Sequence, residues 1–248
     1  MANWSDPQLG SAQATATAGT RDVAFDAGLR AHMLSVYNYM TSGILLTGIV
    51  ALLFAESGAV FSLFNMATGS LSILGWLVMF APLAFVLVMS FGINRLSTGM
   101  AQVLYWAFAI VMGVSLSTIF LVYTNASIAL TFFATAASFA SLSLYGYTTK
   151  RDLSGMGTFL LMGLVGLIVA SIINLFWMND TFSLAIAAIG VLIFAGLTVY
   201  DTQKIKSMYF ELAGSDFLGK AAIMGALNLY LDFINMFLFL LRFLGSRE

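Results

Sequence analysis

The stretch LNLYLDFINMFLFLLRFLG (residues 227–245) is aliphatic and aromatic except for Asn228, Asp232, Asn235 and Arg242. As a helix rising about 1.5 Å per residue, it is long enough to cross a bilayer core about 30 Å thick. Asp232 and Arg242 lie about 15 Å apart along such a helix, too far to be direct partners. A charge at mid-bilayer costs roughly 3 kcal/mol on insertion scales, so a carboxylate there faces a bundle interior or an aqueous cavity.

The neighbours of Asp232 support an inward face. Gly225, Asn228, Asp232, Asn235 and Phe239 fall on one helical stripe, with Leu, Ile, Met and Phe elsewhere. Asn228 and Asn235 are therefore candidates to line a pathway beside Asp232. A plainer role, an amide–carboxylate stripe that binds helices together, is also open.

The rest of the chain is of the same character. Of its 248 residues 60% are hydrophobic and 8% charged, against roughly a quarter charged in soluble domains. The mean hydropathy is +0.96, which excludes an ordinary soluble fold and points to an all-α membrane protein. A net charge of −1 gives no basic patch for nucleic acid. There is no Cys and one His, His32, so disulfides, thiolate metal sites and histidine clusters are excluded. No basic segment, short apolar core and cleavage site open the chain, so no removable signal peptide is expected.

Residues 1–30 are polar and rich in Ala, Thr and Gly, which predicts a flexible tail ahead of a transmembrane domain over residues 31–248. Apolar runs then recur at 34–54, 71–93, 100–123, 128–147, 159–177, 182–200 and 221–243, predicting seven crossings. The sixth is compatible with helix onward to Met208. Small residues recur one turn apart within the spans, as at Ala134 and Ser138 or Ala136 and Ala140, and predict close helix packing. Pro82 alone threatens a span.

The ten basic residues alternate with the runs. Arg21 and Arg30 precede the first, Arg95 separates the second and third, and Lys150 and Arg151 the fourth and fifth. Lys204, Lys206 and Lys220 lie between the sixth and seventh. The other three connections hold no Lys or Arg. The positive-inside rule then places the N-terminus and the charged loops in the cytoplasm. Arg242 and Arg247 break the pattern, which leaves open whether the last segment crosses fully.

Asp201 closes the sixth run. It forms either a surface pair with Lys204, three residues on, or part of a buried site with Asp232 and Arg95, which ends the second run. Two carboxylates in one poorly hydrated site cannot both ionise cheaply, so the pair tends to hold a proton. Ca²⁺, which favours oxygen ligands and irregular coordination, can replace that proton. A guanidinium can neutralise one carboxylate instead. Proton, calcium and arginine would then compete for one anionic site.

GLTVYDTQKIK (residues 196–206) and NLYLDFINMFLFLLRFLG in the last span, with VYNYMTSGILLTG (36–48) and YWAFAIVMGVSLSTIFLVY (105–123), resemble the Bax inhibitor family, in its bacterial branch. The resemblance covers essentially everything after the tail. It implies seven helices with the last one central and wrapped by the other six. It further implies that Asp201 and Asp232 form the dyad associated with pH-sensitive calcium leak, with Ca²⁺ as the ion rather than a resident cofactor. Arg95 corresponds in place to an arginine that pairs with the sixth-span aspartate in one pore state, a switching counter-charge. The basic cluster that often ends eukaryotic members is absent from RFLGSRE.

Other functions use similar residues. Intramembrane aspartyl proteases pair a Tyr-Asp with a glycine-flanked Asp, whereas Asp232 follows Leu231, and Pro82 is followed by Leu83 rather than Ala-Leu. No catalytic residue is assigned on this reading. A retinal protein needs a lysine within the membrane, and all four lysines fall in connections. A proton-coupled cation exchanger and a non-transporting regulator of membrane stress or proteolysis remain open. The expectation is a multi-pass protein of the bacterial inner membrane whose partners are the lipid bilayer, Ca²⁺ and protons.

Overall fold

In a computed structural model the chain is described over residues 7–65 and 68–247, with side chains from Asp26 onward. The first six residues of the polar tail, and the side chain of Arg21, lie outside the described residues. Seven helices follow one another: α1 (Pro7–Glu56), α2 (Ile73–Gly92), α3 (Thr98–Leu116), α4 (Asn125–Thr148), α5 (Ser154–Trp177), α6 (Asp180–Leu212) and α7 (Leu218–Leu244). Each holds a segment long and apolar enough to cross a membrane, in α1 from Asp26 to Glu56. No break separates that segment from the helix before it. Short 3-10 turns follow α1 and extend α3.

Spanning helices satisfy their own backbone, which lipid cannot do, and their first N–H groups need caps. Ser72 accepts from Gly75 N at the start of α2, Ser97 from Met100 N at α3, Thr124 from Ser127 N at α4, and Asn179 from Phe182 N at α6. Pro82 is buried inside α2 without ending it. α6 carries on beyond the apolar run to Leu212, so Asp201 is well inside a helix rather than at its end.

The ends of the helices sort into two faces. On one, the Lys220 ammonium donates to Ile93 O (3.4 Å) and that of Lys206 to Tyr147 O (2.8 Å). Gln203 donates to Arg151 O and accepts from Leu153 N, so α6 is tied to the α4–α5 connection. The basic connections therefore lie together. On the other face Arg242 donates to Ser183 Oγ, and Thr124 N donates to Ser246 O (3.2 Å). α7 thus runs the full depth of the bundle and its end docks on the lysine-free side.

α7 is the most buried of the spans. Four helices pack most extensively on it: α1, α3, α4 and α6. α2 joins the bundle through α3, and α5 through α6. The core runs along α7 through Tyr230, Phe233 and Phe237, against Phe108 of α3 and Phe139 of α4. The single histidine, His32, is buried in α1 with its ring 5.6 Å from that of Tyr209.

Candidate functional site

α6 and α7 lie antiparallel, and two glycines fix their register. A Cβ on Gly225 would lie 3.1 Å from the Ile205 side chain, and one on Gly190 only 2.6 Å from the Phe239 ring. The second contact leaves room for nothing larger than glycine. Between these two points the register brings Asp201 and Asp232 together, side chain to side chain within hydrogen-bonding reach.

The two carboxyls differ in surroundings. Asp232 is 4% exposed, and its Oδ2 has no hydrogen-bond partner. Along α7 it is about 18 Å from Lys220 and about 15 Å from Arg242, near mid-depth. Asp201 is half-buried, with the exposed Lys204 one turn on and close enough for its charge to act on the carboxyl. Asp201 thus has Lys204 as a neighbour on its own helix and Asp232 across from it on α7.

A cavity of about 600 Å³ opens beside the pair. Asp201, Asn228, Asp232, Asn235 and Phe239 line it from α6 and α7, and Ser171 from α5. The stripe read from the sequence, Gly225 excepted, therefore faces one space. Asn235 spends one amide N–H on Leu231 O (2.8 Å), and its carbonyl oxygen remains available. The far wall is apolar, made by Leu and Ile of α5, and Ile168 and Ile172 are exposed at its rim.

Arg95 stands apart. It is exposed in the turn after α2, with its backbone N–H on Gly92 O (2.8 Å), and no ion pair joins it to either aspartate. Among the described residues no cluster of three or more His, Asp or Glu side chains is placed to hold a metal. Two carboxylates and neighbouring amide oxygens are what the site offers a cation.

Hydroxyl groups around the pair carried no sequence signal. Tyr37 of α1, Ser143 of α4 and Thr202 of α6 form a chain with O···O distances of 2.7 and 3.0 Å, and Thr202 donates to Thr198 O. This ties three helices at the residue next to Asp201. On α7, Tyr230 shares a 2.7 Å hydrogen bond with Thr47, which also donates to Ala109 O of α3. A Thr or Ser in an apolar helix commonly bonds its own preceding turn, so the sequence does not reveal a cross-helix role. Adjacency to Asp201 and Asp232 is the only hint available.

The comparisons agree with this architecture. The profile of the family described as "Inhibitor of apoptosis-promoting Bax1" matches residues 29–248. An uncharacterised protein of Rickettsia prowazekii is 48% identical over 235 residues, 94% of this chain and 97% of that protein. The inner membrane protein YbhL of Escherichia coli is 48% identical over 224 residues, 90% of this chain and 94% of its own. A protein of Caulobacter vibrioides is 43% identical over 232 residues, covering 92% of this chain and 93% of its own. A seven-helix bundle matched over nearly its whole spanning region in this way is an integral membrane protein of the Bax inhibitor family.

Proposed function

We propose that this protein is a pH-sensitive, calcium-conducting membrane protein of leak type, with Asp201 and Asp232 as ion site and proton sensor. The observation that carries the proposal is the meeting of two carboxyls at mid-depth in a cavity that also holds Asn228 and Asn235. When the pair is protonated, one proton bridges the two carboxyls. When Ca²⁺ enters, it replaces that proton and takes oxygens from both.

Tight calcium sites gather six to eight oxygens. Two carboxylates binding through one oxygen each, with two amides, fall short of that, so the ion completes its shell with water and is held briefly. Brief holding suits passage rather than storage. Asn228 and Asn235, one turn either side of Asp232, are the steps by which an ion approaches and leaves. Arg95 is the counter-charge of a second state, in which the turn after α2 moves toward α6 and its guanidinium replaces the proton or cation. No catalysis is assigned to the pair.

The clustering of basic connections on one face supports a cytoplasmic N-terminus under the positive-inside rule. The name of the Escherichia coli relative supports residence in the inner membrane of a bacterium.

Reconstitution in liposomes tests the proposal. Ca²⁺ flux is followed against pH for wild type, Asp201→Asn and Asp232→Asn. Wild-type flux should change with pH, and the variants should lose most of that dependence. Equal flux in all three at every pH would sink the proposal. Saturable flux that requires an imposed proton gradient would instead make the protein a proton-coupled exchanger using the same pair.

A further inference from the structure

On the side of α7 away from the aspartates, α1 and α4 do not close against each other. Each packs on α7, but they make little contact between themselves. The gap is a cavity of about 790 Å³ with Met33, Met40 and Ile44 on one wall, Ala136 and Ala140 on the other, and Phe233 as its floor. A second cavity of about 490 Å³ continues it, sharing Ile44 and Phe132, and reaches Leu52 and Asn125. From Arg30 to Leu52 the groove is about 33 Å long, the depth of a bilayer core.

The two ends of the groove differ in charge. The exposed Arg30 stands at the end near the basic connections. Tyr147 stands there too, with the Lys206 ammonium 5.0 Å over its ring and bonded to its carbonyl oxygen. No charged residue lines the opposite end. The polar pair within the groove, Tyr37 and Ser143, is already hydrogen-bonded and asks for no partner.

We propose that the α1–α4 groove is a binding site for an anionic phospholipid, its acyl chain against Phe233 and its phosphate at Arg30 and Lys206. A groove open to the bilayer along its length admits a lipid sideways, without unfolding. The cationic end selects headgroup charge, and the apolar length accepts the chain. A transmembrane helix from a second copy is the competing occupant, but it would leave the cationic end uncompensated.

The test uses the full chain in nanodiscs containing phosphatidylglycerol or phosphatidylcholine that carries a photoreactive acyl chain, with labelled peptides mapped by mass spectrometry. Phosphatidylglycerol should label residues 33–45 and 132–144 well above the exposed faces of α2 and α5. Arg30→Gln should lower the preference for phosphatidylglycerol over phosphatidylcholine about fivefold, the effect of one basic residue near the membrane surface. Ala140→Phe should remove label from the groove and leave it elsewhere. Even labelling around the bundle in wild type would overturn the proposal without relying on any variant. So would equal labelling by the two lipids, or a groove left unlabelled in nanodiscs whose mass shows two copies of the chain.

Discussion

The two sides of α7 are built on opposite logic. Toward α5 and α6 the helix shows Gly225, Asn228, Asp232, Asn235 and Phe239, with Ile205, the Asp201 carboxyl and Gly190 facing it from α6. Toward α1 and α4 it shows Phe233, Ile234 and Phe237, which floor an open groove. The first side is sensitive to single atoms and single charges. The second is sensitive to volume, and has volume to spare. The difference teaches where this bundle holds function at the expense of stability, because an unpartnered buried carboxyl oxygen is a cost that packing elsewhere must offset.

Asp232→Leu separates the sides most sharply. It should abolish pH-dependent Ca²⁺ flux while stabilising the bundle by about 1–4 kcal/mol, since an apolar residue replaces a buried charge. Thermal unfolding in detergent, run alongside the flux assay, checks both halves. A variant that loses flux and also melts earlier would mean that the carboxyl holds the fold together.

Volume gives the next contrast. Gly190→Leu drives a side chain into the Phe239 ring and should cost about 1–3 kcal/mol by overpacking, with altered flux because the dyad depends on that register. Ala136→Leu, at the groove, should change stability by less than about 1.5 kcal/mol. Equal losses from the two substitutions would erase the distinction between the sides.

Tyr230→Phe removes the hydroxyl bonded to Thr47 and leaves both faces intact. A loss of about 0.6 kcal/mol is expected, the average for hydrogen bonds between membrane helices.

The smallest effect lies outside the bundle. Fully exposed Asp152 accepts from the Ser154 hydroxyl and backbone N–H, which hold its carboxyl below the ordinary carboxylate range. A lowered folded-state value means stabilisation present above the unfolded value and lost as pH falls through the folded one. Wild type and Asp152→Ala should therefore differ slightly in unfolding temperature at neutral pH and converge in strong acid.

The aspartate side of this contrast was legible in the sequence, for a physical reason. Hydrophobic length marks the spans, and a carboxylate in an apolar run is conspicuous because its burial is costly. The spacing of Asn228, Asp232 and Asn235 then marks one face. The continuation of α6 through Lys204 and Lys206 was legible as far as Met208, and the helix runs on to Leu212 because lysine is a good helix former. Contacts between helices were not legible. The Tyr37–Ser143–Thr202 chain, the four neighbours of α7 and the α1–α4 gap depend on how helices are rotated and paired. Periodicity within one helix carries no information on its neighbours. Arg95 shows the same limit: its position before the third run matched a family pattern, yet in this structure it is exposed and apart from the aspartates.

Infrared difference spectroscopy of the reconstituted protein tests the central claim most directly, by reading the protonated carboxyl band as Ca²⁺ is added. Wild type should lose a protonated carboxyl signal on Ca²⁺ addition, at lower Ca²⁺ as pH rises, and Asp201→Asn and Asp232→Asn should each lack that change. A signal that is absent before Ca²⁺, or that responds to Ca²⁺ equally in both variants, would show that the two aspartates do not share an exchangeable proton.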